Sequence, residues 1–217
     1  MIELLPKRRL TTSLSVRQWF CLAVAAAFLS GCAAAGPKYL NLTYTAPAQF
    51  QDRNQTLGLS RFNDRRINMD KGYVGFRQLM GDKQEIFVVT GQDLASAMTR
   101  VTRSFLEHKG FSVSLIPSWP ATAPGVSRMA GQFDHVLAAE IHQFECRAVK
   151  KGPATEMILS IDLTFHLGTP DKRQLTTIPI VLTLERTELM FSRKKLEAFV
   201  NEAIDEIFIK ALSLSYF

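Results

Sequence analysis

The sharpest pattern in the chain is the stretch EMILSIDLTFHL at residues 156–167, where apolar and polar side chains alternate. Met157, Leu159, Ile161, Leu163, Phe165 and Leu167 fall on one face, and Glu156, Ser160, Asp162, Thr164 and His166 on the other. A period of two with one apolar face predicts a strand buried on one side and wet on the other. Residues 136–149 pair with it across KKGPA, which turns near Gly152. Their parity shifts between Ile141 and Phe144, which predicts a bulge. Residues 174–189 alternate again through Ile178, Ile180, Leu182 and Leu184. Pro179 has no amide donor, so this strand belongs at an edge or carries a bulge.

Shorter patterns precede these. YLNLTYT at residues 39–45 reads as an edge strand before Pro47, and the polar stretch 49–55 as a loop. LGLSRF at residues 57–62 is a strand candidate leading into the charged turn NDRRINMDKG. YVGFRQ and QEIFVVT flank the turn Gly81-Asp82-Lys83, and FSVSLIP supplies another strand. Two segments have helical period. Thr90 and Asp93 have the spacing of a capping box, followed by Leu94, Ala97, Met98, Val101 and Phe105 on one face and by Gly110 as the stop. From the candidate cap Ser192 onward, Leu196, Phe199, Val200, Ala203, Ile204, Ile207, Phe208, Ala211 and Leu212 form a second stripe, with Lys194, Glu197, Asn201, Glu202 and Asp205 on the wet side. Residues 118–134, which include Trp119, read as a long loop. The order predicts an α+β fold, a mainly antiparallel sheet with two amphipathic helices packed on one face.

The N-terminus has a different character. Lys7, Arg8, Arg9 and Arg17 precede the apolar run WFCLAVAAAFL at residues 19–29, which is followed by Ser30, Gly31 and Cys32. Eleven apolar residues fall short of the roughly 20 that a membrane span needs, and the basic leader with small residues at the end reads as a secretory signal. Leu29-Ser30-Gly31-Cys32 resembles the lipobox of bacterial lipoproteins. That resemblance implies cleavage before Cys32, acylation of its thiol and new amino group, and an anchor of three chains, where two already hold a protein on a bilayer. Ala33 after the cysteine, where an aspartate would favour the inner membrane, implies the outer membrane, facing the periplasm. The expected organisation is a signal over 1–31, a lipidated cysteine and tether over 32–38, and one periplasmic α+β domain over 39–217.

Of 26 basic and 20 acidic residues, the leader holds four and one, so 22 and 19 remain, a net charge of +3. With no basic stripe interleaved with aromatics, nothing points to nucleic acid. Cys21 leaves with the signal and Cys32 takes lipid, so Cys146 has no intramolecular disulfide partner. It reads as a buried inert thiol, with an exposed pairing site as the alternative.

The order of lipobox, LTYTAP, a strand entering the FNDRR turn, then strand, helix and KGFSV resembles the YajG-like family of outer-membrane lipoproteins. Asp64 with Arg65 and Arg66 is the most particular piece, while the long leader and the Trp119 loop depart from the pattern. The resemblance implies a fold and a location but no catalytic residues. Related helix-on-sheet lipoproteins serve as accessory subunits of envelope transport and assembly machines.

Candidate chemistry is sparse. The chain has no G-x-S-x-G, no phosphate-binding loop, no H-E-x-x-H and no C-x-x-C, so neither an enzyme nor a cofactor is expected. A turn near Gly152 would set His142 opposite Asp162 with Glu140 and His166 nearby, either a divalent-metal set or an ordinary polar pair on a wet sheet face; the ordinary pair is preferred and no metal is assigned. Arg65 and Arg66 fit a partner's carboxylate or an anion, or Asp64 caps the turn and the arginines fold back on it. Trp119 is either an exposed anchor for a partner or headgroups, or a loop aromatic tucked into the core. Two functions fit: a membrane-tethered module that binds another envelope protein through Trp119, Arg65 and Arg66, or a carrier of lipid between helices and sheet, lined by Phe105, Phe165, Phe199 and Phe208.

Overall fold

The computed structural model describes residues 36–44, 53–91 and 93–212. The signal, the lipobox with Cys32, and Pro47 lie outside the described residues. Nine strands form one sheet: β1 (Lys38–Leu40), β2 (Gln55–Ser60), β3 (Asn63–Asp64), β4 (Tyr73–Gln78), β5 (Gln84–Val89), β6 (Phe111–Ile116), β7 (His135–Lys151), β8 (Ala154–Thr169) and β9 (Gln174–Glu188). Among the described residues, three helices accompany them, α1 (Leu94–His108), α2 (Ala123–Ser127) and α3 (Arg193–Ala211).

The three alternating runs are the long strands β7, β8 and β9, and they pair antiparallel in sequence order. Lys151 pairs with Ala154 around Gly152, whose φ of +59° is the left-handed backbone that such a two-residue turn needs. The expected bulge is present, with a register shift between Ile141 and Gln143. β9 pairs with β8 alone, so Pro179 sits in an edge strand.

The sheet is mixed, not mainly antiparallel. β7 gives its second edge in turn to β2, β3 and β4, all parallel to it, at His135–Leu137, Glu140–Ile141 and Cys146–Ala148. β6 is parallel to β2, and β1 is parallel to β5. The physical reason is connection length: the β4–β5 hairpin and α1 lie between β2 and β6, which is ample for a parallel crossover.

The helices are also not all on one face. α1 and α3 share the main core, where Phe105 and Phe208 meet at 5.3 Å between ring centres. α2 belongs to a second apolar cluster with Trp119 and Val136. Val136 and Leu137 are neighbours in β7 and join different clusters, so α2 covers the opposite face of the sheet. Gly168 permits this, because a Cβ there would stand 2.7 Å from Val136 and 2.8 Å from Val126. The expected loop over 118–134 is therefore a lid over the second face, built partly as a short helix.

Two local expectations change. The N-cap of α1 is Asp93, whose carboxylate accepts from the Ser96 amide at 2.7 Å, while the Thr90 hydroxyl donates to the Leu40 carbonyl instead. Asn201 is buried rather than wet. Its side chain accepts from the Thr43 amide and donates to the Asn41 carbonyl, so α3 fastens the segment after β1.

Gly75 marks the tightest contact of the sheet. It pairs with Cys146 at the start of the parallel β4–β7 ladder, and a Cβ there would stand 1.9 Å from the Cys146 carbonyl oxygen. Because the clash is with backbone, Gly75→Ala is expected to destabilise the domain by about 3 kcal/mol or more. Urea unfolding of the two proteins checks this; an unchanged midpoint would show that β4 does not pack as described.

Candidate functional site

Between Ile141 and Cys146, the bulged part of β7 has no strand on its second edge. The charged turn after β3 fills that gap. The Arg65 amide donates to the Ile141 carbonyl at 2.9 Å, and Arg66 Nη1 donates to the carbonyls of Tyr73 at 2.7 Å and Phe144 at 3.3 Å. Arg66 also forks onto Asp64, Nε to Oδ1 at 2.9 Å and Nη2 to Oδ2 at 2.8 Å, and its side chain is 3% exposed. Burial opposes ionisation of Asp64, but hydrogen bonds from the Arg66 side chain and amide outweigh it and hold the carboxyl below its usual range. Of the two readings of this turn, Asp64 and Arg66 occupy the structural one.

Arg65 points the other way. Its guanidinium is 58% exposed and reaches Glu140 Oε1 at 3.1 Å through Nη2. It borders two open recesses of about 360 Å³ each, one shared with Glu140, His166 and the Trp119 segment, the other with His142, Ile67 and Met69. A third, of about 290 Å³, lies between Arg61, Asp64, Lys71 and Asp93. Arg61 closes its rim by donating to Asp93 Oδ2 at 2.5 Å, and so ties the turn to the N-terminus of α1. The carboxyl of Asp93 is itself held low: burial works against its charge, and the Ser96 and Arg61 hydrogen bonds prevail.

Trp119 does not stand beside Arg65 as an exposed anchor. It is 5% exposed and packs with Val126 and Val136, which is the second of its two readings. The four polar groups of the hairpin do not converge either. The bulge sets Gln143, not His142, opposite Asp162. His142 is bonded to Thr164 Oγ1 at 3.1 Å and lies 3.8 Å from Glu140, while His166 is bonded to Thr177. Among the described residues, no three metal-ligating side chains gather. Cys146 is fully buried, and burial with the nearby Glu145 charge pushes its thiol up to about 12, which makes it inert at neutral pH.

One group escaped the sequence reading: Tyr73 donates to Glu145 Oε1 at 3.0 Å, and Arg147 holds the other carboxylate oxygen. Glu145 and Arg147 stand two apart in one strand, so they share a face; that spacing was the available signal.

No family model matches the chain. No curated protein matches it. Among solved structures, a Xanthomonas campestris protein of family DUF330 superposes with a TM-score of 0.52 at 11% identity, over 84% of this chain and 95% of that one. A Helicobacter pylori homologue of a neuraminyllactose-binding hemagglutinin gives 0.45 at 13% identity, over 82% and 94%. Lipoprotein GNA1162 from Neisseria meningitidis gives 0.36 at 7% identity, over 70% and 97%. The DUF330 protein shares the α+β fold, and an identity of 11% carries the fold alone.

Arg66→Ala would remove the guanidinium from the Asp64 carboxylate and from the backbone carbonyls of Lys71, Tyr73 and Phe144, and is expected to cost about 3 kcal/mol. Arg65→Ala, at an exposed pair, is expected to cost less than about 1 kcal/mol. Asp64 stabilises the fold fully above its ordinary value of 3.8, and that contribution is lost as pH falls through the lower folded value. Asp64→Asn should therefore flatten part of the acid-side loss below about pH 4. Thermal unfolding across pH measures all three, and equal losses for the two arginine variants would overturn the division of roles.

Proposed function

We propose that the chain is a lipid-anchored interaction module of the cell envelope, facing the periplasm from the outer membrane. The observation that carries this is the basic leader, short apolar run and Leu29-Ser30-Gly31-Cys32, with Ala33 as the sorting residue and only six residues from Cys32 to Lys38. The proposal includes kinship with the YajG-like lipoproteins, on the FNDRR turn and KGFSV strand, and an accessory role in envelope assembly, maintenance or transport. A partner's carboxylate would meet Arg65, whose forked donors suit that group, with Arg66 holding the turn behind it rather than touching the partner. Trp119, buried with Val126 and Val136, would contribute by holding the segment that walls one recess beside Arg65. Among the described residues, no helix is long and apolar enough to cross a membrane.

The carrier reading fares less well. Phe105 and Phe208 meet at 5.3 Å, Phe165 and Phe208 at 6.4 Å, and Phe62 and Phe165 at 5.9 Å, each ring 3% exposed or less. Those contacts are a solid core where a ligand would have to lie.

Bacteria expressing the full chain should incorporate labelled palmitate into it and deliver it to the outer-membrane fraction, and Cys32→Ala should lose both label and membrane. Unlabelled wild-type protein would overturn the anchor. A further lipid, seen by native mass spectrometry beyond the covalent chains and lost on unfolding, would replace the module with the carrier.

A further inference from the structure

The register of the sheet brings several chain features to one end. Glu85, Arg77, Ala148, Met157 and Arg186 form one row across β5, β4, β7, β8 and β9. Beyond that row lie the β4–β5 turn, the β7–β8 turn and the end of β9. β1 runs parallel to β5 with Lys38 opposite Phe87, so β1 begins on the side nearest this same end. Lys38 is level with Phe87, three residues from the start of β5 at Gln84, and its Nζ reaches toward the turns to lie 3.7 Å from Glu85.

This end is apolar at its tips. Met80 is 86% exposed, Leu189 76% and Met190 77%, with Leu79 and Val149 partly exposed beside them. Among the described residues, exposed large apolar residues elsewhere are Ile67 and Met69 in one turn, and Tyr39, Leu115, Val181 and Ile209 on separate elements. Lys83, Lys150, Arg193 and Lys194 lie in or next to these segments, all exposed and without an ion pair among the described residues, against the one exposed carboxylate of Asp82 in the β4–β5 turn. An apolar tip with free cations around it matches the boundary between phospholipid headgroups and acyl chains.

We propose that this end of the sheet rests on the bilayer, with Met80, Leu189 and Met190 entering the headgroup boundary and the free lysines and arginine meeting anionic phospholipid. The proposal rests on the lipid anchor at Cys32. Six residues from Cys32 to Lys38 reach about 20 Å at full extension, so an anchored chain holds the end nearest the start of β1 close to the membrane. The β8–β9 turn at Asp171–Lys172 then faces away, at the far end of the same long strands. In this orientation Arg65 and its recesses, partway along β7, stay clear of lipid and open to a protein partner.

The test uses the full chain, processed and lipidated in bacteria and reconstituted in vesicles of phosphatidylethanolamine and phosphatidylglycerol with brominated acyl chains. Met80→Cys, Met190→Cys and Lys172→Cys each carry a fluorophore, Cys146 being buried. Bromine is expected to quench the first two labels by about half and the third by less than about a tenth, as the depth of interfacial insertion implies. Adding Lys150→Glu and Lys194→Glu should lower quenching at Met80 by about twofold; unchanged quenching would overturn the role of anionic lipid. Intact mass is read on the same samples. Lipid present with no quenching at Met80 and Met190, or with quenching at Lys172, overturns the orientation and leaves the anchor standing. A mass without lipid overturns the anchor and the orientation with it.

Discussion

The structure depends on both edges of β7 being satisfied. One edge pairs with β8 along its whole length, and the other is divided among β2, β3 and β4. A buried strand cannot leave carbonyls unpaired, since each orphan costs on the order of 1–3 kcal/mol. Where strands are missing, between Ile141 and Cys146, Arg65 supplies a backbone donor and Arg66 supplies its guanidinium. A side chain has replaced a stretch of sheet. The bulge at His142 lies in the same gap, because a segment without a neighbouring ladder on one side is free to accommodate an extra residue.

Much of the fold was legible, and the reason is periodicity. The period-two runs became β7, β8 and β9 within a few residues, and parity alone located the bulge. Direction of pairing was not legible, because alternation records which face is buried and is silent about which strand lies at the edge. Hence β2 and β4 turned out parallel to β7, although their own patterns were read correctly as strands, and β3, read as the start of the charged turn, is a two-residue strand also parallel to it. The cap of α1 failed for a related reason. Thr90 had suitable spacing, but its hydroxyl is taken by Leu40, fifty residues away in sequence, and Asp93 does the capping.

The candidate site was legible in its chemistry and not in its division of labour. Adjacent Arg65 and Arg66 look alike in sequence, yet one side chain is 58% exposed and the other 3%. The difference follows from their partners: Arg66 is drawn in by the Asp64 carboxylate and the carbonyls of Tyr73 and Phe144, while Arg65 meets the partly exposed Glu140. Trp119 was open between surface and core because a loop residue has no periodicity to vote on the matter. Its burial follows from α2, a helix of five residues that no period of 3.6 could announce.

These features separate the jobs of the molecule along one strand direction. The core between sheet and long helices is occupied by packed rings, which leaves the outer surface for the proposed partner. At one end the exposed apolar tips and free cations suit a lipid surface. In the middle, Arg66 gives up its exposure to hold the bulge, and that rigidity is what lets Arg65 present its charge at a defined place. A charge on a mobile loop would lose ordering entropy at every encounter. Fastened through Ile141, Phe144 and Tyr73, the turn has already lost that entropy on folding. The same hydrogen bonds that close the sheet therefore prepare the surface on which a partner would dock.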